Sequence, residues 1–299
     1  MRYSVLIATR NRPKELGVLL RSISKQAVSP SQVVVISSGE SILHILSDYM
    51  YLPILHRHSE TGGQILQKRM GIELIDVNSD WVLFLDDDLE LESDTISVLA
   101  NFVSTMDSSL EILGIGLNCV NGFPEKKVFR KVSPRRLGKV GPSGINYSYM
   151  NHETSMFTEW LNGASLWQRH ILVNYDLPIV PIKYAFGEDL IFSHKVSKLG
   201  GLFYLKQAKV RFQKTPTYDV RNFEMWQASA YWRYYFVAKC GLSASRFLLY
   251  LALSASLFLF RNYKRIPRHL ISISLDLSRI SIALVRKLNP EVVLSKVRF

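Results

Sequence analysis

Three consecutive carboxylates, Asp86-Asp87-Asp88, follow the apolar run 81–85 and are the residues of this chain best suited to chemistry. Three negative charges at the end of a buried strand repel one another and are poorly solvated there. Mg²⁺ or Mn²⁺ would relieve this repulsion, because hard cations prefer oxygen ligands and complete their shells with water and substrate phosphates. The triplet therefore predicts a metal site for a phosphate-bearing substrate. The alternative is an acidic loop, or a helix start capped by Asp88 or Ser93.

Alternating strand and helix signals surround the triplet. Strand-like apolar runs occur at 4–8, 32–36, 54–57 and 81–85, and helical spacing is found at 16–23, 42–50, 64–75 and 95–102. This succession is typical of a parallel sheet covered by helices, in which ligands bind beyond the carboxyl ends of the strands. The polar turns 9–13 and 37–39 and the triplet are all predicted to lie at that edge.

The second half of the chain is less regular. Residues 121–155 are rich in Gly, Pro, Ser and basic residues, which predicts a long loop or lid. Further on, the pattern predicts a helix at 189–199, two closing strands at 202–205 and 208–212, and an aromatic-rich helix at 223–239.

An apolar segment, 247–260, lies near the C-terminal end between Arg246 and Arg261 and contains two polar residues, both Ser. Its 14 residues fall short of the roughly 20 that cross a bilayer. Because basic residues follow it, we predict interfacial or re-entrant association with an anionic membrane surface, with a buried core helix as the alternative. Residues 268–286 fit both strand alternation and a helical stripe, and their position favours a helix.

Composition narrows the classes of function. The formal net charge of +12 predicts anionic partners, such as sugar nucleotides or an acidic membrane. Nucleic acid is not predicted, because neither zinc-finger spacing nor an aromatic RNA-binding motif accompanies the charge. Two distant cysteines, Cys119 and Cys240, indicate a reducing compartment. The N-terminus lacks the features of a secretory signal, so the main domain is expected in the cytosol.

Three segments together resemble the family-2 glycosyltransferases: residues 5–13, the apolar strand ending in the aspartate triplet, and Phe186-Gly-Glu-Asp189. The resemblance runs from residue 3 to about 240. It implies an α/β protein of the GT-A (Rossmann-like) fold, with a mixed sheet flanked by helices, that transfers a sugar from a nucleotide-diphosphate donor to an acceptor hydroxyl with inversion. We predict a GT-A domain at 1–240 and a helical, membrane-associating region at 241–299.

The resemblance also implies roles for particular residues. Asp86 and Asp88 match the family's D-x-D pattern and would bind Mn²⁺ or Mg²⁺, with Asp88 as the direct ligand and Asp86 in contact with the nucleoside or a metal-bound water. The alternative for Asp87 is a spectator on the opposite face. Asp189 would be the catalytic base and Glu188 would position the acceptor or the loop. The alternative for Glu188 and Asp189 is that they only stabilise the start of a helix.

Further residues correspond to the family's substrate-binding positions. Gly163 would allow close approach of the sugar, and Lys195 stands where relatives often have Arg. The predicted substrate-binding set is Thr9, Arg10, Arg12, Ser38, Gly63, Arg69, Asp86, Gly163 and Lys195.

Two departures from the family pattern matter. Ser37-Ser38-Gly39 replaces the turn in which many relatives carry a base-contacting Asp. Gln213 follows the last strand near the place where many relatives have a His for metal or diphosphate. Gln213 is a candidate substitute, and Arg211 or Lys214 could neutralise phosphate instead.

The sequence as a whole predicts a metal-dependent inverting glycosyltransferase at the cytoplasmic face of the cell membrane. Its expected acceptor is a lipid-linked glycan in envelope polysaccharide or glycolipid synthesis. A catalytically silent, membrane-associated scaffold that binds nucleotide or glycan is the alternative. A nucleotidyltransferase is disfavoured, because the glycine-rich first loop with a downstream Lys is absent.

Overall fold

The computed structural model describes residues 1–107, 109–121, 133–150, 152–180, 182, 187–214, 222–262 and 266–297. The residues outside these ranges include 122–132 and 151 of the predicted loop or lid at 121–155, and Phe186 of the family-like motif. The chain forms two compact units. The first comprises Met1–Lys139, Ser148–Leu177 and Phe192–Pro216, and the second comprises Val140–Tyr147, Pro178–Ile191 and Thr217–Phe299. The domain boundary predicted at residue 240 stays a prediction.

The described part of the first unit contains one mixed sheet. Its strands, in chain order, are β1 (Tyr3–Arg10), β2 (Gln32–Ser38), β3 (Ile54–His58), β4 (Trp81–Asp86), β5 (Leu89–Leu91), β6 (Ile112–Cys119), β7 (Met156–Thr158), β8 (Ser165–Gln168) and β9 (Gly201–Phe212). Their spatial order is β3-β2-β1-β4-β8-β6-β9-β5, with β7 also paired to β9. The first four neighbours are parallel, whereas β8 is antiparallel to both β4 and β6. The predicted βαβαβαβ half and mixed sheet are confirmed.

Helices connect these strands. They are α1 (Pro13–Ser24), α2 (Leu43–Leu46), α3 (Gln64–Ile72), α4 (Thr95–Thr105), α5 (Arg169–Asn174) and α6 (Glu188–Val196), with short 3-10 helices at Ser47–Tyr49 and Pro134–Arg136. In α1, Pro13 suits the first turn, since that position needs no N–H partner. The predicted apolar stripe of α1 is buried against the core: Leu16, Leu19, Leu20 and Ile23.

Two details of the sheet differ from the sequence prediction. The residues after the aspartate triplet form β5, antiparallel to β9, before the next helix begins. The two predicted closing strands are one 12-residue strand, β9, whose register against β6 shifts between Leu117 and Asn118. This β-bulge takes up the extra residues around Lys206 without ending the strand.

The second unit is helical in its C-terminal segment. It contains α7 (Phe223–Lys239), α8 (Ala244–Arg261), α9 (Ile266–Val285) and α10 (Pro290–Leu294). Asn222 and Ser243 cap α7 and α8 by accepting hydrogen bonds from backbone N–H groups of the first turn. The helix favoured for 268–286 is confirmed by α9. By length and composition alone, α8 is the one helix in the described part of the chain that could cross a membrane, with a mean hydropathy of 1.3 over 18 residues.

Candidate active site

The aspartate triplet forms the turn between β4 and β5. Strand β4 is buried and lies beside β1 in parallel register, with Asp86 opposite Ala8. This register brings the triplet next to the loop that follows β1, because parallel strands end at the same edge of a sheet. The backbone N–H of Gln213, just beyond β9, donates to the Asp88 carbonyl at 2.8 Å and fixes the far side of the turn.

Asp87 is the buried member of the triplet, with a side chain 8% exposed. Its Oδ2 accepts a hydrogen bond from Thr9 Oγ1 at 2.8 Å, and its Oδ1 accepts one from Arg12 Nη1 at 2.9 Å. Burial raises the pKa of Asp87, and the contacts with Thr9 and Arg12 oppose that rise. Asp87 therefore joins the carboxylate turn to the end of β1 and the loop that follows it. Its predicted lack of a part in the chemistry stays a prediction.

Asp86 and Asp88 are more accessible, with side chains 29% and 31% exposed. Gln64 Nε2 donates to Asp86 Oδ1 at 2.7 Å, and Arg12 Nη1 lies 3.0 Å from Asp88 Oδ2. Burial and then the charge of Asp86 raise the pKa of Asp88. The two predicted metal ligands thus form an accessible pair of crowded negative charges.

Helix α3 supplies a basic residue to this pair. Lys68 is buried, and its Nζ lies 3.7 Å from Asp86 Oδ1 and 5.7 Å from the centre of the Phe84 ring. Arg69 points elsewhere and pairs with Asp176 at 3.1 Å, because adjacent residues of a helix face different directions. The predicted role of Arg69 in donor binding stays a prediction, whereas Lys68 is in place beside Asp86.

The loops after β1, β2 and β3 hold the other predicted nucleotide contacts. The guanidinium of Arg10 lies against Gly62, where a β-carbon would come within 2.6 Å of its Nη1. Gly63 has a φ of 149°, which favours glycine, and begins α3. Ser38 pairs in register with Arg10; it is 2% exposed, and its Oγ has no hydrogen-bond partner among the described residues.

The loop before β8 contains Gly163, which is buried. The neighbouring Asn162 donates through its side chain to Leu117 O at 3.3 Å and to Cys119 Sγ at 3.2 Å, but its buried Oδ1 has no partner in the described structure. Burial raises the pKa of Cys119 to about 12, so its thiol is protonated at neutral pH.

Helix α6 carries the remaining predicted residues. Glu188 and Asp189 form its first turn in the second unit, with Glu188 buried and Asp189 partly exposed. The N-terminal end of a helix favours carboxylates, so this placement agrees with both sequence interpretations. Lys195 is exposed in the last turn, in the first unit. The catalytic and binding roles of these three residues stay predictions.

The residues after β9 brace the site. Gln213 Nε2 donates to the carbonyls of Glu15 at 2.9 Å and Leu89 at 3.1 Å, which ties the carboxylate turn to α1. Arg211 pairs with Glu92, and Lys214 lies 3.6 Å from Glu15. The structure thus gives Gln213 a structural function, and both basic residues have carboxylate partners.

The carboxylates of this turn suit a divalent cation that is also bound by a substrate. Within the described ranges no group of three or more His, Cys, Asp or Glu side chains is arranged to hold a metal. Mg²⁺ in phosphate-transfer sites typically takes one or two carboxylates and leaves the other positions to water and phosphate oxygens. Asp86 and Asp88 supply that number of carboxylates.

The family model of glycosyl transferase family 2 matches residues 4–158, about half of the chain, which include the aspartate triplet and the loops after β1, β2 and β3. The chain belongs to this family. This glycosyltransferase is 25% identical over 204 residues to the uncharacterized glycosyltransferase YwdF of Bacillus subtilis (strain 168), an alignment that covers 63% of the chain and 75% of YwdF.

Solved structures confirm the GT-A architecture of this glycosyltransferase. Residues 1–349 of TarS from S. aureus are 18% identical, with a TM-score of 0.56 and coverage of 96% of this chain and 80% of that one. The mannosyltransferase PcManGT from Pyrobaculum calidifontis, in complex with GDP-Man and Mn²⁺, is 15% identical, with a TM-score of 0.54 and coverage of 96% and 88%. The TarS fragment has also been solved with UDP-GlcNAc.

Sequence reasoning missed the contacts of Asp87 and Gln64. The contacts of Asp87 join residues 75 and 78 positions apart, so no local pattern signals them. Gln64 and Lys68 are four residues apart and share one face of α3, so the helical phase could have indicated Lys68 over Arg69.

Proposed function

We propose that this glycosyltransferase is metal-dependent and inverting, and that it transfers a sugar from a nucleotide-diphosphate donor to a lipid-linked glycan. Two of the buried polar atoms that have no hydrogen-bond partner among the described residues, Ser38 Oγ and Asn162 Oδ1, carry the donor part of this proposal. A buried polar atom without a partner is costly, so a ligand that satisfies both atoms recovers free energy. Ser38 ends β2 and Asn162 lies in the loop before β8, the two segments that the family resemblance assigns to nucleotide and sugar.

The carboxylate pair supports the metal part. Asp86 and Asp88 would hold Mn²⁺ or Mg²⁺, which would neutralise the charge that develops on the leaving diphosphate. Two solved structures of similar fold support this part of the proposal. PcManGT was solved with GDP-Man and Mn²⁺, and GalNAc-T7 with UDP, GalNAc and Mn²⁺. Lys68, Arg12 and Arg10 add positive charge for the phosphates, and Gly63 and Gly163 leave room for close approach.

The proton of the acceptor hydroxyl must leave as the oxygen attacks the anomeric carbon. We assign Asp189 as the base that accepts it and Glu188 as the residue that orients the acceptor loop. In Asp189→Asn, transfer should fall by about 10²- to 10⁴-fold, while donor binding stays near the wild-type value. Transfer from a UDP-sugar to a lipid-linked acceptor, measured with Mn²⁺ present, checks this, with Asp48→Asn, an exposed aspartate, as the control. Turnover by Asp189→Asn at the wild-type rate would remove Asp189 as the base.

A lipid-linked acceptor requires contact with a membrane, and α8 offers a surface for it. One face of α8 is buried, with Phe247, Leu251, Ala255 and Phe258. The opposite face is exposed and apolar, with Leu249, Leu253, Leu257 and Phe260. Because one side already packs against its own unit, we propose that α8 lies in the membrane interface instead of crossing it. Arg246 and Arg261 at its two ends suit acidic lipids, and the cytoplasmic face is the proposed location.

Flotation with vesicles tests this surface. The full chain should float with vesicles containing anionic phosphatidylglycerol more than with phosphatidylcholine alone. Leu253→Glu with Leu257→Glu should abolish flotation, because two charges then have to enter the apolar layer. Leu43→Glu, at an equally exposed leucine of the first unit, is the control. Unchanged flotation of the double variant would contradict the α8 surface without affecting the assignment of the chemistry.

A further inference from the structure

We propose that Arg12 is a resident counter-cation of the carboxylate turn, which a divalent cation displaces from Asp88 while Asp87 retains it. This inference rests on the proposed metal site at Asp86 and Asp88. One nitrogen, Arg12 Nη1, lies 2.9 Å from Asp87 Oδ1 and 3.0 Å from Asp88 Oδ2. Arg12 therefore occupies one of the two proposed metal ligands.

The two contacts of Arg12 differ in environment. Asp87 is buried and is also held by Thr9, so removal of its positive partner would leave a poorly solvated charge. Asp88 is 31% exposed, and an ion pair between exposed groups is worth little. A cation therefore displaces Arg12 from Asp88 at a small cost in free energy, and would displace it from Asp87 only at a larger one. The exchange leaves Arg12 anchored at the edge of the site.

The backbone of Arg12 favours this exchange without a change of fold. Its carbonyl accepts the first hydrogen bond of α1, from Leu16 N at 3.0 Å, so the residue is fixed at the start of the helix. Its side chain is 49% exposed and can turn while the backbone stays in place. Once released from Asp88, the guanidinium can pair with a donor phosphate. Without a donor, a cation therefore competes with Arg12 for the Asp88 carboxylate. With a donor bound, the pair between Arg12 and the phosphate offsets the loss of the pair with Asp88.

Titration of the full-length protein with Mn²⁺, without donor, tests the inference by electron paramagnetic resonance of the free ion. Arg12→Gln should bind Mn²⁺ about two- to five-fold more tightly than the wild type, the range expected for loss of one exposed ion pair. Arg12→Met should behave in the same way and guards against a defect specific to glutamine. Lys14→Gln is the matched control, because it removes an equal charge two residues away from an exposed position.

Three results of this titration would overturn the inference. Equal or weaker Mn²⁺ binding by both Arg12 variants, with wild-type binding intact, would overturn the inference alone. An equal gain in Lys14→Gln would also overturn it, because the effect would then be general charge and not contact with Asp88. Absence of Mn²⁺ binding in every protein would overturn the inference together with the proposed metal dependence.

Discussion

The two compact units each bury an aspartate among hydrogen-bond donors, and the two aspartates have different surroundings. In the first unit, Asp87 accepts from Thr9 at 2.8 Å and from Arg12 at 2.9 Å. In the second unit, Asp276 is 2% exposed and accepts from Tyr231 at 2.8 Å and Gln227 at 2.9 Å, with Arg279 at 3.5 Å. A hydroxyl and an arginine thus accompany both carboxylates.

The groups around Asp87 differ from those around Asp276. Asp87 lies between two accessible carboxylates at the edge of a sheet, and its partners belong to a loop beside that edge. Asp276 lies on α9 and its partners lie on α7 and on α9 itself, so it connects two helices. Burial and hydrogen bonding are common to both aspartates, whereas the accessible carboxylates on either side belong to Asp87.

The largest effect is expected at Asp276, where a substitution should reduce the stability of the fold. Asp276→Ala removes the acceptor shared by Tyr231 and Gln227 and should lower the free energy of unfolding by about 2–4 kcal/mol. Urea denaturation followed by circular dichroism measures this. Asp276→Asn, which keeps one acceptor oxygen, should lose less. An Asp276→Ala variant of wild-type stability with lowered turnover per folded molecule would contradict a purely structural role, since it would show that Asp276 takes part in catalysis.

A smaller effect is expected at Asp87. Asp87→Asn weakens the attachment of Thr9 and Arg12 to the carboxylate turn, so donor affinity should fall by about ten-fold, or about 1.4 kcal/mol. Isothermal titration with a UDP-sugar and Mn²⁺ provides the measurement, and Asp48→Asn, an exposed aspartate, is the control. Donor affinity equal to that of the wild type would show that Asp87 only stabilises the fold, like Asp276.

The alternation of strands and helices in the first hundred residues could be predicted, because apolar periodicity is a local property of the chain. Strand β5 could not, because its three residues are a strand only through pairing with β9, about 120 positions later. Residue type and order proposed Asp86 and Asp88 as metal ligands, and the structure places both side chains at an accessible turn. The contacts of Asp87 could not be predicted, because they join distant parts of the chain.

The central claim is that the accessible aspartates of the β4–β5 turn bind a cation that holds the donor diphosphate. Mn²⁺-dependent binding of UDP-GlcNAc to the wild type, Asp88→Asn and Asp276→Asn, measured by isothermal titration, tests it most directly. Asp88→Asn should lose the Mn²⁺-dependent part of the affinity, whereas Asp276→Asn should retain it. Mn²⁺-dependent binding of equal strength in Asp88→Asn and the wild type would contradict the claim.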